Sequence, residues 1–134
     1  PQMWREFFKP RAEQEYRYCH EKGMYVMIHS CGDVSQIIPE LIEIGVDMFN
    51  PFQPEVMDIA GIKQEFGQRL AFFGGMSTQK TLPKATPDEV KEKTRWLIET
   101  IGAGGGYVFS PAHDVPKDVP PENMAAMVEV LQSQ

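Results

Sequence analysis

Apolar and charged positions follow one another in blocks along this chain, and the blocks predict a regular succession of helices and strands. Over residues 4–22 the apolar residues recur every three or four positions, which indicates one buried face of a helix. Pro10 divides this stretch, so we predict a short segment through Phe8 and then a longer helix that ends at Gly23. The uncharged run MYVMI comes next and predicts a strand buried on both faces over residues 24–29.

The same order of helix, glycine and strand recurs three more times. Apolar patterns predict helices from Asp33, Glu55 and Thr86, and a last helix over residues 122–131. The helix from Glu55 is expected to bury Val56. The helix at Thr86 opens with a threonine N-cap, a first-turn proline and a capping-box glutamate, and it extends to residue 101. A glycine precedes each predicted strand: Gly23, Gly45, Gly67 and Gly102.

The remaining strands are predicted over residues 46–50, 70–73 and 106–109, the second of them ending at Gly74-Gly75. Strict alternation of helix and strand favours parallel strands, either in a doubly wound sheet or in part of a (β/α)8 barrel. A barrel needs about 250 residues, and this chain has 134. We therefore predict an α/β fold in which residues 1–134 form one domain that is half of a TIM barrel, within a longer protein.

Charge and composition restrict the class of partner. Thirteen basic and nineteen acidic residues give a net charge of −6 without any cluster of lysine or arginine, which argues against nucleic acid or an acidic membrane. We expect a small-molecule substrate, and self-association of the chain through its open sheet edges or its apolar inner face. No apolar run of membrane-spanning length and no signal peptide is present, so we expect a cytoplasmic protein with Cys19 and Cys31 unpaired.

Candidate metal ligands stand at the carboxyl end of the first predicted strand. His29 and Cys31 are two positions apart, so their side chains share one face of the chain, and an imidazole and a thiolate can bind one zinc ion. A single His-x-Cys pattern also arises by chance, and free cysteine is commonly buried. The position favours a site, because sites in parallel α/β folds form beyond the carboxyl ends of the strands.

Polar residues follow the other strands as well. His113 follows the fourth strand and is the candidate for a third zinc ligand, although a solvated loop histidine is the alternative. Asn50, Gln53 and Ser77 are predicted to bind substrate, whereas the alternative is turn chemistry, since asparagine and serine are frequent in turns. We assign no catalytic residue from the sequence.

Several motifs together resemble one known family. They are HSCG at residues 29–32, IGVD at 44–47 leading into NPFQP at 50–54, FGG at 73–75, GGYVFSPAH at 105–113 and PPEN at 120–123. This set resembles the C-terminal half of the uroporphyrinogen decarboxylase superfamily over nearly the whole chain. The resemblance implies a (β/α)8 barrel. The superfamily includes a metal-free decarboxylase of haem biosynthesis and corrinoid-dependent methyltransferases that bind zinc through His-x-Cys and a third ligand, usually cysteine.

The motifs favour the methyltransferase branch. A decarboxylase would be expected to carry an Asn-Leu-Asp-Pro-like turn where this chain has GMSTQ at residues 75–79, and it would not need Cys31. The resemblance therefore implies zinc bound by His29, Cys31 and His113, with a corrinoid on a partner protein as methyl donor or acceptor and a thiol or a folate as the other substrate. His113 departs from the pattern, because the third ligand is usually cysteine.

Two alternatives remain open. One is a metal-independent uroporphyrinogen decarboxylase, a carboxy-lyase of porphyrin biosynthesis. No arginine cluster is visible that could hold the carboxylates of a porphyrinogen, since Arg69 and Arg95 are isolated. The other is a half-barrel that binds a ligand without catalysing a reaction.

Overall fold

Four parallel strands in chain order form the sheet of this protein. In the computed structural model, which describes residues 1–134, β1 pairs with β2, β2 with β3 and β3 with β4. The prediction of parallel strands alternating with helices, as in half of a TIM barrel, is confirmed. The strands are β1 (Met27–His29), β2 (Met48–Phe52), β3 (Ala71–Met76) and β4 (Tyr107–Pro111).

Six α-helices connect and flank these strands. They are α1 (Lys9–Glu21), α2 (Ile38–Glu43), α3 (Ile59–Phe66), α4 (Thr81–Lys84), α5 (Pro87–Trp96) and α6 (Pro121–Gln132). A π-helical turn precedes α1 and another follows α5, and a 3-10 turn leads into α2. No helix is both long and apolar enough to cross a membrane.

Local sequence signals set several of these boundaries as predicted. The short segment ends at Phe8 and α1 carries Pro10 in its first turn. Gly23 follows α1 with φ 72°, a left-handed conformation that glycine adopts without a side-chain clash. At the start of α5, the Thr86 amide donates to Glu89 Oε2 at 2.7 Å and the Glu89 amide donates to Thr86 Oγ1 at 3.4 Å. The predicted capping box is therefore confirmed.

The hydrophobic core lies between the sheet and the helices. Strand register aligns Ile28, Phe49, Phe72 and Tyr107 on the helix-facing side of the sheet. Phe49 and Phe72 are fully buried, and the ring of Phe72 stacks on that of Phe52 with centroids 4.2 Å apart. Burying a phenylalanine side chain stabilises a fold by about 1.5–3 kcal/mol. These buried aromatic residues therefore stabilise the sheet whose carboxyl edge carries the candidate site residues.

The other face of the sheet is open, and the prediction that the first strand is buried on both faces was wrong. Met27 in β1 is 56% exposed and Val108 in β4 is exposed on the same face. The strand is also shorter than predicted, because Met24 and Tyr25 lie outside it and Tyr25 is 90% exposed. Within this chain, only the helix side supplies packing partners to β1. Self-association through the open face stays a prediction.

Two helix predictions also need correction, and one short helix was missed. The third helix begins at Ile59 rather than Glu55, because the Asp58 side chain accepts the Gly61 amide and caps it there, and Val56 is exposed. The stretch from Asp33 becomes helical only at the 3-10 turn Ser35–Ile37. The four-residue helix α4 was not predicted.

Strands β2, β3 and β4 also extend past their predicted ends, and the pair Gly74-Gly75 explains the largest difference. These glycines continue β3 with φ 126° and 94° instead of ending it. A Cβ atom on Gly74 would lie 2.9 Å from the Phe52 amide nitrogen, so glycine permits the close approach of β2 and β3. The Tyr107 hydroxyl donates to the Gly74 carbonyl at 2.7 Å, and burial raises the pKa of Tyr107.

Candidate metal centre

The carboxyl edge of the sheet brings together the three predicted metal ligands. His29 ends β1, Cys31 follows two positions later, and His113 lies in the loop after β4. The ligand atoms of His29, Cys31 and His113 all lie within 4.8 Å of one another, and all three residues are exposed. In a flat sheet β1 and β4 would be about 14 Å apart. The imidazole centroids of His29 and His113 are only 5.6 Å apart, because both side chains and the loop after β4 reach across that distance.

The separations of these atoms fit a zinc ion. Tetrahedral zinc with bonds of about 2.0–2.3 Å holds its nitrogen and sulfur ligands roughly 3.3–3.6 Å apart. His29 Nε2 lies 3.3 Å from Cys31 Sγ, which already meets that spacing. His113 needs a shift of about 1 Å toward the pair. Two imidazoles and a thiolate are also ligand types that zinc prefers over calcium or magnesium.

The structure places Asn50 against His29. Asn50 Oδ1 lies 2.5 Å from His29 Nδ1, and Asn50 Nδ2 donates to the Phe73 carbonyl at 3.1 Å. Sequence reasoning assigned Asn50 to substrate binding and missed this contact with a candidate metal ligand. One signal was available, because the 22-residue spacing of Gly23 and Gly45 places His29 and Asn50 at nearly matching positions in their repeats.

His113 is held differently from His29. The Asp114 amide donates to His113 Nδ1 at 2.8 Å, so the neutral ring carries its hydrogen on Nε2. If a metal binds His113 Nε2, the hydrogen of the neutral ring must move to Nδ1, which then cannot accept the Asp114 amide. If a metal binds Nδ1 instead, it takes the lone pair that accepts this amide. In either case His113 must give up the bond to Asp114 before it can act as a ligand.

Gln53 and Ser77 occupy buried positions near the strand ends. Gln53 is 9% exposed, and its Oε1 accepts the Gly32 amide at 3.4 Å, which links the loops after β1 and β2. Ser77 is 4% exposed; its hydroxyl donates to Glu55 and accepts the Lys80 and Thr81 amides. The contacts of Ser77 match turn chemistry, and substrate binding by either residue stays a prediction.

Glu55 is a further buried polar residue that sequence reasoning did not single out. Its Oε1 accepts the Ser77 hydroxyl, while its Oε2 is buried without a hydrogen-bond partner. The sequence signal was its position directly after Pro54, among the polar residues that follow β2.

A cavity of about 450 Å³ opens beside the metal-ligand cluster. His29 lines it together with Asn50, Phe73 and residues 110–115, which form the end of β4 and the start of the loop after it and include His113. The cavity therefore combines the two histidines with an amide, an aromatic ring and backbone groups. Its position at the carboxyl edge of parallel strands is where (β/α)8 barrels bind their substrates.

The chain matches the family described as "Uroporphyrinogen decarboxylase (URO-D)" over residues 1–134. It belongs to this family. Among curated proteins, the URO-D chain is 32% identical over 77 residues to a uroporphyrinogen decarboxylase from Serratia proteamaculans, covering 58% of this chain and 21% of that protein. It is 34% identical over 76 residues to one from Vibrio campbellii, covering 56% of this chain and 21% of that protein. The match thus spans about a fifth of the length of these relatives.

A solved structure supports the fold of this URO-D chain. A methyltransferase from Methanosarcina mazei superposes with a TM-score of 0.76 over 99% of this chain and 37% of that chain, at 22% sequence identity. At this identity the likeness shows the fold alone. The parallel sheet and its helices therefore correspond to part of a larger α/β structure in that protein.

Proposed function

We propose that the protein containing this URO-D chain is a zinc-dependent methyltransferase that moves a methyl group between a corrinoid and a thiol or folate acceptor. The observation that carries the proposal is the convergence of His29, Cys31 and His113, whose ligand atoms lie within 4.8 Å of one another at the carboxyl edge of the sheet. A metal-free decarboxylase has no need of a cysteine sulfur placed 3.3 Å from an imidazole nitrogen.

The donor set suits the activation of a nucleophile. Zinc held by His29, Cys31 and His113 would supply a Lewis acid that lowers the pKa of a bound thiol, so that the thiolate is present near neutral pH. Two neutral imidazoles and one thiolate cancel only one of the two positive charges. The remaining positive charge favours an anionic sulfur at the open fourth position.

The surroundings of the cluster fit a transfer between a small molecule and a protein-bound cofactor. The cavity of about 450 Å³ beside His29 and His113 can hold the small-molecule substrate against the ligands. The three ligand residues lie at the carboxyl edge of the strands, the end at which (β/α)8 barrels open to their substrates, so a corrinoid carried by a partner protein can approach them there. Holding the small-molecule substrate and the corrinoid in a fixed geometry at one edge makes the methyl transfer effectively intramolecular, which is a large source of rate acceleration.

A second candidate is porphyrinogen decarboxylation, which the names of the curated relatives at 31–34% identity favour. Its substrate carries several carboxylates that arginines would bind. The five arginines of this chain are all exposed, and none follows the carboxyl end of a strand: Arg5, Arg11, Arg17, Arg69 and Arg95. A decarboxylase would therefore need carboxylate-binding residues from outside this chain.

Zinc content and product analysis test the proposal. The whole protein should hold one zinc after dialysis, and Cys31→Ser should lose it, whereas Cys19→Ser on α1 should retain it. Methyl transfer from a methylated corrinoid to a thiol or a folate should be lost in the first variant only. Equal zinc content in the two variants would refute the metal assignment. Carbon dioxide release from a porphyrinogen, unchanged by a chelator and by Cys31→Ser, would establish the second candidate.

A further inference from the structure

Two hydrogen bonds made by one side chain join three neighbouring strands, and one of these bonds reaches a candidate metal ligand. His29 of β1 is in register with Asn50 of β2, and Phe73 belongs to β3. Asn50 bridges the other two through its Oδ1 on the His29 ring and its Nδ2 on the Phe73 carbonyl. Both ends of the Asn50 amide are thus engaged within the protein.

The chemistry of these groups fixes the direction of each hydrogen bond. The Phe73 carbonyl can only accept, so the NH₂ group of Asn50 must face it and donate. The amide oxygen of Asn50 then faces His29, and because that oxygen can only accept, His29 Nδ1 must donate. The neutral His29 ring consequently keeps Nε2 free of hydrogen, and this nitrogen lies 3.3 Å from Cys31 Sγ.

From this arrangement we propose that Asn50 is a positioning residue that holds His29 in the tautomer and ring orientation in which Nε2 can bind the metal. The proposal rests on the metal site of the proposed function and replaces the expectation that Asn50 binds substrate. The contrast with His113 supports it, because the Asp114 amide places the hydrogen of that ring on Nε2 instead. The pair His29 and Cys31 is therefore prepared for a metal, whereas His113 must rearrange.

Hydrogen-bond partners of metal ligands are commonly worth ten- to a hundredfold in metal affinity. Two substitutions separate positioning from simple support of the sheet. Asn50→Leu and Asn50→Asp both remove the donor to the Phe73 carbonyl, but only Asn50→Leu removes the acceptor for His29 Nδ1. If Asn50 only supports the sheet, the two variants should behave alike.

The tautomer can be read in the metal-free protein by nitrogen-15 NMR after selective labelling of histidine. We expect His29 to carry its hydrogen on Nδ1 in the wild type and in Asn50→Asp, and to shift toward Nε2 in Asn50→Leu. Zinc affinity, measured by competition with a chromophoric chelator, should fall roughly ten- to a hundredfold in Asn50→Leu. It should stay within about threefold of the wild type in Asn50→Asp.

The two measurements distinguish failure of the positioning role from failure of the proposed function. Wild-type protein that binds zinc, with the same tautomer and the same affinity in Asn50→Leu, would overturn the role of Asn50 and leave the zinc site standing. A wild type that binds no zinc, yet whose His29 tautomer shifts in Asn50→Leu, would support the positioning and refute the zinc-dependent function. An equal loss of affinity in both variants, with the tautomer unchanged, would assign Asn50 to support of the sheet and overturn the proposal.

Discussion

The packing of β3 against β4 can be tested at Gly75. This residue has φ 94°, and a Cβ atom there would lie 2.5 Å from the Tyr107 hydroxyl oxygen and 3.2 Å from Leu97 Cδ2. The Tyr107 side chain is partly buried and its hydroxyl donates to the Gly74 carbonyl. Gly75→Ala should therefore displace the tyrosine as well as strain the backbone.

The expected loss of stability is the sum of two effects. An alanine held in the left-handed region costs roughly 1–2 kcal/mol. A buried hydroxyl that loses its partner costs about 1–3 kcal/mol. Gly75→Ala should thus lower the free energy of unfolding by about 2–5 kcal/mol. Gly104→Ala is the matched control, since Gly104 has φ 74° and a Cβ added there would meet no atom within 4 Å, so only the backbone cost applies.

Urea unfolding of the whole protein, followed by tryptophan fluorescence, would measure both variants. A double-mutant cycle with Tyr107→Phe isolates the hydroxyl, because the substitution at Gly75 should then cost only about as much as Gly104→Ala. The clash at Tyr107 is refuted if Gly75→Ala costs no more than Gly104→Ala, or if its cost is the same with and without the Tyr107 hydroxyl.

Two further predictions concern the helices. Asn123 in α6 is buried and donates to the carbonyls of Leu82 and Ala85 at 2.8 Å each. Asn123→Leu should therefore lower the free energy of unfolding by about 2–4 kcal/mol in urea titrations. An unchanged urea midpoint would show that these bonds do not hold α6 to α4. Thr86→Ala should cost about 1 kcal/mol by removing the cap of α5. The hydrogen bonds from Thr86 lower the pKa of Glu89 in the folded state. The stabilisation from the Glu89 carboxylate is therefore complete above the unfolded-state pKa of about 4.3, and it is lost as the pH falls through the lower folded-state pKa. The difference between wild type and Thr86→Ala should shrink in that acidic range, and a difference that grows there would contradict this assignment.

Local signals in the sequence were sufficient for the order of the strands and of every helix except the four-residue α4, and for several of the ends of these elements. Gly23 and Gly45 end helices in left-handed conformations, and Thr86 caps α5, because each of these features depends on residues within one turn. The burial of the first strand could not be predicted in this way. Whether Met27 is covered depends on what packs against the open face of the sheet, and that is a contact between distant parts of the structure.

In the candidate site, too, local patterns predict some features, whereas others depend on contacts between distant parts of the chain. His29 and Cys31 could be predicted as a pair from their spacing, and His113 from its position after a strand, because parallel strands place their carboxyl ends at one edge. The contact between Asn50 and His29 required the register of β1 and β2. A shift of one residue in that register would turn Asn50 to the opposite face, so the 22-residue glycine spacing suggests this pair but only the paired sheet establishes the contact.

The convergence of His29 and His113 also makes a bound ion a cross-link of the chain. These residues are 84 positions apart and lie at the ends of the first and the last strand, so an ion bound to both closes a loop that contains β2, β3 and β4. Closing a loop of this length removes chain entropy from the unfolded state worth on the order of 4–5 kcal/mol. If such an ion is bound as in the proposed function, it would also hold the carboxyl ends of the first and last strands at a fixed separation.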